Sequence, residues 1–149
     1  MVLDSETKLS HEKFDFYGST AVFLVTDIMS TVDYYTNKLG LELNSTFGDP
    51  PYHAQVSIGR PEGNSALEGY IPVTIQFLYG EKPSSSENYL YLRVGYHMYK
   101  LYELYRSRNI NITSKIEDKP WGMTEFRVLD PNDYTLVFGR HTEDQKQRR

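Results

Sequence analysis

The chain has 149 residues, a formal charge of −4 and no cysteine. This length is enough for one domain to bury a core, and the lack of cysteine excludes disulfides, thiolate metal ligands and thiol nucleophiles. A mildly acidic chain whose only basic cluster lies in its last four residues is not typical of a nucleic-acid-binding protein. No apolar run approaches the roughly 18 residues of a membrane span, so we expect a soluble, cytoplasmic protein with no membrane partner.

The first half of the chain passes from strand-like to helix-like patterns after a polar arm, which we place at residues 1–17. Residues 20–25 are β-rich and nearly all apolar, which predicts a strand covered on both faces. Ser30 and Asp33 are spaced to cap a helix that ends at Gly40. Three further strands and a Gly/Pro-rich loop are then predicted, the strands at residues 41–47, 54–58 and 72–79 and the loop at 60–69.

The second half repeats this order after a polar linker at residues 81–87. Strands are predicted at residues 89–94, 110–113, 123–129 and 134–138, with a helix at 97–108. The inward face of this helix is predicted to consist of Met98, Leu101, Leu104 and Tyr105. A tyrosine stripe at a spacing of three, which is more typical of a solvated face than of a ligand site, consists of Tyr96, Tyr99 and Tyr102.

The two halves also match residue by residue. Five apolar positions recur 69 residues later (94 − 25), namely Val25, Val32, Tyr35, Leu41 and Leu43 on Val94, Leu101, Leu104, Ile110 and Ile112. Near the end of each half Gln76-Phe77 matches Val137-Phe138, now 61 residues apart (137 − 76) because the first half has the longer loop. This pattern indicates an internal duplication of a βαβββ unit. We predict one domain over 18–141, with modules at about 18–80 and 88–141 and a polar tail at 142–149.

The last two strands form a hairpin with a distinctive sequence. It opens with Pro120-Trp121-Gly122-Met123, and its turn, Asp130-Pro131-Asn132-Asp133, has residue types that tight turns prefer. The hairpin resembles the closing hairpin of the glyoxalase/bleomycin resistance protein/dioxygenase family, within the vicinal-oxygen-chelate superfamily, and is most similar to the bleomycin-resistance-like branch. Asp133 stands where that family usually has glycine. The resemblance implies an α+β fold in which two βαβββ modules form a half-open, cup-shaped mixed sheet, and it implies a homodimer.

In metal-dependent members of that family the ligands come from the first and last strands of each module. The duplication places Thr20, Gln76, Tyr89 and Val137 at those positions. Only the Gln76 side chain has a usual metal-binding donor, because Val137 has none and neutral hydroxyl groups bind metals weakly. The four histidines show no metal-binding spacing. We therefore expect no metal site and no cofactor.

Strand alternation predicts which side chains face the cup. We predict that one set of strand residues packs beneath the two helices, namely Ala21, Phe23, Val25, Ile75, Phe77, Leu90, Leu92, Leu136 and Phe138. The alternate residues, among them Gln76, Tyr89, Tyr91 and Arg93, then face the cup. Trp121 is the natural stacking surface at the rim, with a core or dimer-interface anchor as the alternative. Glu125 and Arg127 share one strand face, as a solvated ion pair commonly does, although a lone Glu125 could also act as a base. We predict no catalytic residue and a ligand-binding set of Trp121, Gln76, Tyr89, Tyr91, Arg93, Glu125 and Arg127.

The resemblance implies a metal-independent, bacterial-type antibiotic-resistance protein. Such a homodimer would sequester a cationic or aromatic small molecule, for example a bleomycin-like antibiotic, in a cleft at the dimer interface. Two alternatives stay open. One is a metal-dependent glyoxalase- or dioxygenase-like enzyme with a non-standard site around Gln76, and the other is a non-catalytic interaction or regulatory module.

Overall fold

The computed structural model describes residues 19–58, 73–82, 88–95 and 97–143. The predicted arm at 1–17, the loop at 60–69, Tyr96, most of the linker at 81–87 and residues 144–149 of the tail lie outside the described residues. In the described part of the chain, no helix is long and apolar enough to cross a membrane.

The described residues form two βαβββ units in succession. The first unit consists of β1 (Ala21–Val25), α1 (Ile28–Asp33, continued by a π-helical turn at Tyr34–Lys38), β2 (Glu42–Phe47), β3 (His53–Ile58) and β4 (Val73–Tyr79). The second consists of β5 (Tyr89–Arg93), α2 (Met98–Ser107), β6 (Ile112–Asp118), β7 (Met123–Leu129) and β8 (Thr135–His141).

Each unit builds one four-stranded mixed sheet, in the order β1-β4-β3-β2 for the first sheet and β5-β8-β7-β6 for the second. The first and last strands of each unit pair in parallel, and the other pairs are antiparallel. Phe23 pairs with Phe77 and Leu92 with Phe138, which reproduces the offsets of 69 (92 − 23) and 61 (138 − 77) between the halves. The predicted α+β fold of duplicated βαβββ units is confirmed.

The helices cover one face of each sheet through aromatic packing. Tyr35 of α1 lies 4.7 Å from Phe77, measured between ring centroids, and Tyr105 of α2 lies 5.5 Å from Phe138. Phe138 in turn stacks on Phe126 at 4.9 Å. Eight of the nine residues predicted for this face belong to the core or pack against it, namely Phe23, Val25, Ile75, Phe77, Leu90, Leu92, Leu136 and Phe138. The opposite face of each sheet is therefore left for other contacts.

The start of α1 differs from the prediction. Asp27, and not Ser30, is the N-cap: its carboxylate Oδ1 accepts a hydrogen bond from the Ser30 backbone N–H at 3.0 Å. Asp and Ser are both good N-cap residues, and Asp27 takes the position because it lies directly before the first helical residue, Ile28. The predicted end is confirmed, since Gly40 adopts φ +89°, a conformation that glycine adopts readily after a helix.

The sequence match between α1 and α2 at a constant offset of 69 residues is wrong by one residue, because buried Tyr35 corresponds to Tyr105 and not to Leu104. Leu104, predicted to face inward as the match of Tyr35, is 41% exposed, whereas Tyr105 is buried. The predicted solvated position of Tyr102 is also wrong, because its ring packs against Phe126 at 5.2 Å. The physical reason is the π-helical turn of α1, which makes room for one extra residue that α2 lacks.

The second unit contacts the first through the predicted turn at residues 130–133. Asp133 takes the left-handed conformation, with φ +65°, as the turn requires. Buried Asp130 accepts a 2.7 Å hydrogen bond from the hydroxyl of Tyr35, and Tyr134 donates its hydroxyl to the Leu24 carbonyl at 2.8 Å. The turn therefore joins α1 and β1 of the first unit to β7 and β8 of the second.

Strand β6 is longer than predicted. It runs from Ile112 to Asp118, because Glu117 and Asp118 pair with Glu125 and Thr124 of β7. β6 is an edge strand whose exposed positions are polar, and such strands are easily mistaken for loops in a sequence.

Candidate functional site

Six of the seven residues predicted to bind a ligand lie around one open cavity of about 580 Å³ on the second sheet. We call it the second-sheet cavity, and it is lined by Tyr89, Tyr91, Arg93, Trp121, Met123, Glu125, Arg127 and His141. Met123 and His141 were not predicted. The seventh predicted residue, Gln76, lies on β4 of the first sheet and does not line this cavity.

Strand register brings these side chains together. Arg93 of β5 and Glu125 of β7 both pair with Gly139 of the intervening strand β8. Tyr91 and Arg127 likewise both pair with Val137. Because alternate residues of a strand share a face, the cavity residues of β5 and β7 project from the face opposite the helices.

Glu125 lies at the floor of the cavity and is only 3% exposed. Its carboxylate Oε2 accepts two hydrogen bonds, from the Tyr91 hydroxyl at 2.8 Å and from the Trp121 indole N–H at 3.0 Å. Burial, followed by the hydrogen bond to Glu125 and its charge, raises the pKa of Tyr91 well above its usual range. The Tyr91 hydroxyl therefore remains a hydrogen-bond donor at neutral pH. Glu125 was expected to form a solvated ion pair with Arg127, but its carboxylate is buried and bonded to Tyr91 and Trp121.

Trp121 presents an exposed ring that is held at one edge. It sits in a tight turn closed by the Gly122 N–H on the Lys119 carbonyl at 3.1 Å, and Gly122 adopts φ +87°. The indole is 63% exposed, although its N–H is anchored on Glu125. A core anchor would be buried, so Trp121 is not one within the single chain. Its ring is available for stacking at the rim of the cavity.

Two guanidinium groups also line the cavity, one from each of the strands that flank β8. Arg127 lies over the ring of Tyr89, with its guanidinium carbon 5.0 Å from the ring centroid. Arg93 is exposed at the end of β5. Among the described residues, no carboxylate lies within 4 Å of either guanidinium. The cavity therefore combines one buried acidic group with two basic groups that have no counter-ion in the described chain.

Gly139 is a structural part of the site that the sequence analysis missed. A Cβ atom at this position would overlap the hydroxyl of Tyr91 and lie 2.5 Å from its ring carbon Cζ. The tyrosine thus crosses directly over Gly139 to reach Glu125. The available signal was a glycine within a β-rich run, which often marks a close approach, but the predicted strand ended at Phe138.

The positions at which the family's metal-dependent members hold a metal do not fit one here. Thr20 is hydrogen-bonded to Thr74 at 2.8 Å, and Val137 is a buried aliphatic residue. Gln76 is engaged by Gln55 at 3.0 Å and by His53 at 3.3 Å. No group of three His, Cys, Asp or Glu side chains suited to a metal occurs within the described ranges. The remaining position, Tyr89, lines the cavity under Arg127.

A family model described as the glyoxalase/bleomycin resistance protein/dioxygenase superfamily matches residues 18–138. No curated protein matches the chain significantly.

Solved structures with this fold include three that are informative. A glyoxalase/bleomycin resistance protein/dioxygenase from Nocardioides is 18% identical with a TM-score of 0.67, covering 93% of this chain and 91% of its own. TioX from Micromonospora sp. ML1 is 18% identical with a TM-score of 0.62, covering 83% and 99%. The bleomycin-binding protein of bleomycin-producing Streptomyces verticillus, in complex with copper(II)-bleomycin, is 20% identical with a TM-score of 0.60, covering 85% and 97%. Identities this low establish a shared fold only.

Proposed function

Because this chain belongs to the glyoxalase/bleomycin resistance protein/dioxygenase superfamily, we propose that it is a metal-independent protein that binds a cationic, aromatic small molecule in the second-sheet cavity. The observation that carries the proposal is the pairing of an exposed indole, Trp121, with a buried carboxylate, Glu125. The indole offers a flat surface for an aromatic ring, and the carboxylate offers a negative charge beside it.

The hydrogen bonds of Glu125 favour a positively charged ligand. Both groups that donate to the carboxylate, the Tyr91 hydroxyl and the Trp121 N–H, are neutral. A buried charge is costly unless it is paired, and a ligand ammonium or guanidinium group would supply the missing counter-charge. Aromatic faces beside the carboxylate strengthen cation binding further.

The ligand class suggests a role in antibiotic resistance. The S. verticillus structure with this fold holds copper(II)-bleomycin. We propose sequestration of a bleomycin-like compound in the cytoplasm as the working function of this chain. The proposal concerns binding without chemical change, since the inherited metal positions hold no suitable donor set.

We further propose that a second copy of the chain completes the cleft. The cavity is open, and the corresponding face of the first sheet exposes apolar side chains such as Val22 and Leu78. Exposed apolar side chains that lie together on one face favour association. Sedimentation over a range of concentrations would show a dimer, whereas a monomer at high concentration would contradict this part of the proposal.

Replacing Trp121 by alanine should abolish ligand binding while leaving the fold intact. The side chain is mostly exposed but donates a hydrogen bond to buried Glu125, so its loss should cost about 1 to 2 kcal/mol of unfolding free energy, whereas binding should weaken at least about 100-fold. Metal-free bleomycin is titrated calorimetrically into protein whose metal content has been assayed, and quenching of the single tryptophan is recorded in the wild type.

Tyr79→Ala is the matched control, because Tyr79 is as exposed as Trp121 but lies on the first sheet. It should bind like the wild type. If Trp121→Ala unfolds and no small molecule shifts the melting temperature of the wild type, the interaction-module alternative is favoured. Stoichiometric metal in the purified protein, with loss of binding on chelation, would favour the enzyme alternative.

A further inference from the structure

We propose that the second-sheet cavity selects a zwitterionic aromatic ligand, whose cationic group binds Glu125 and whose acidic group binds Arg93 and Arg127. This inference rests on the proposed function and adds the second charged group to the ligand. It follows from the balance of charge in the cavity and from the positions of the charges relative to one another.

The balance of charge does not suit a purely cationic ligand. One carboxylate and two guanidinium groups line the cavity, so its formal charge is positive at neutral pH even when His141 is neutral. A simple cation on Glu125 would leave the guanidinium groups without counter-ions. A simple anion on the arginines would leave the buried carboxylate unpaired. A ligand with both groups satisfies all three side chains.

Arg93 and Glu125 are also spatially separated. Arg93 and Glu125 lie on strands that flank β8, and both pair with Gly139, so their Cα atoms are about 10 Å apart at the usual strand spacing. Glu125 is buried, whereas Arg93 is exposed. The span between the two charged groups is bridged by the Tyr91 ring, which lies across Gly139. An aromatic ring with charged groups at opposite ends has the shape that this span requires.

Arg127 is held in place for an acidic group. Its guanidinium stacks on Tyr89, and within the described ranges no carboxylate lies within 4 Å of it. A stacked guanidinium still presents its N–H groups at the edge, where a carboxylate can bind in a bidentate manner. The fixed orientation reduces the entropy lost when a ligand binds.

A series of probes with different charged groups on the same ring tests the inference on the full chain. Benzylamine, benzoate and 4-(aminomethyl)benzoate share one ring and differ only in charge, and their affinities are measured by calorimetry and by Trp121 quenching. The zwitterion should bind about tenfold more tightly than either singly charged probe, since each charge-assisted hydrogen bond contributes on that scale.

Variants assign each charge to a residue. Glu125→Gln should remove the advantage of the zwitterion over benzoate, and Arg93→Gln or Arg127→Gln should reduce its advantage over benzylamine. Arg106→Gln is the matched control, because Arg106 is an exposed residue of α2 paired with Glu103 and lies outside the cavity. It should leave all three affinities unchanged, and circular dichroism confirms the fold of each variant.

The outcomes separate this inference from the proposed function. Benzylamine binding as tightly as the zwitterion, with binding lost in Trp121→Ala, would overturn the inference and leave the proposed function standing. If metal-free bleomycin binds and 4-(aminomethyl)benzoate does not, the inference is likewise overturned and the proposed function stands. If neither bleomycin nor any of the three probes binds, both proposals fail.

Discussion

Replacement of Asp130 by alanine is expected to lower the free energy of unfolding by about 3 to 5 kcal/mol. The carboxylate is buried and accepts three hydrogen bonds, from the Tyr35 hydroxyl at 2.7 Å and from the backbone N–H groups of Asn132 and Tyr134 at 2.8 Å each. The variant would leave the fully buried Tyr35 hydroxyl without its acceptor and remove the side-chain bonds of the turn. Urea unfolding, followed by circular dichroism, measures the change.

Asp133→Asn is the matched control within the same turn. Asp133 is exposed and has φ +65°, a conformation that asparagine tolerates, so the unfolding free energy should change by less than about 0.5 kcal/mol. Tyr35→Phe removes only one of the three hydrogen bonds and should have an intermediate effect. If Asp130→Ala is no more destabilising than Asp133→Asn, the turn does not stabilise the junction between the two units.

The stability conferred by Asp130 should also depend on pH. Burial raises the pKa of this carboxyl above its usual 3.8, and hydrogen bonds from Tyr35 and from the backbone of Tyr134 and Asn132 oppose the shift. A raised pKa means that the folded chain holds the proton more tightly, so this contribution to stability is complete below pH 3.8 and is lost as pH rises through the folded-state pKa. The neutral variant Asp130→Asn lacks this titration. The difference in unfolding free energy, wild type minus variant, should therefore be larger at about pH 4 than at about pH 7.

The second-sheet cavity could be anticipated because it depends on short-range patterns. Tyr89, Tyr91 and Arg93 alternate along β5, as Glu125 and Arg127 do along β7, and a period of two places each set on one face. Their ligand-binding role stays a prediction. The same alternation predicts that Gln76 faces the cup, but Gln76 belongs to β4 of the first sheet and does not line this cavity.

The features that could not be anticipated depend on contacts between distant residues. Nothing near Glu125 in the sequence shows that Tyr91, 34 positions earlier, donates to it and helps to bury it. The one-residue shift between the helices arises from the π-helical turn, which leaves no clear local signal because an unbroken apolar pattern fits both arrangements. Gly139 likewise has no room for a side chain because the ring of Tyr91, from the neighbouring strand β5, lies over it.

Gly139→Ala is expected to weaken ligand binding by at least about tenfold while the chain still folds. The new methyl group would occupy the space of the Tyr91 hydroxyl, and the tyrosine ring would have to move off the strand. That movement breaks the 2.8 Å hydrogen bond to Glu125 and disturbs the floor of the cavity. The backbone itself tolerates alanine, because Gly139 has no positive φ. Calorimetric titration with metal-free bleomycin and urea unfolding measure the two effects.

The control for this substitution is Gly95→Ala, since a Cβ atom there meets nothing within 4 Å and the backbone is again free of positive φ. It should bind and unfold like the wild type. Removing the obstructing ring provides the decisive comparison: in a Tyr91→Ala background, adding Gly139→Ala should cost little further stability, because the two single changes act on one contact. If Gly139→Ala lowers stability equally in the wild type and in the Tyr91→Ala background, the strand itself requires glycine at this position and the contact with Tyr91 does not.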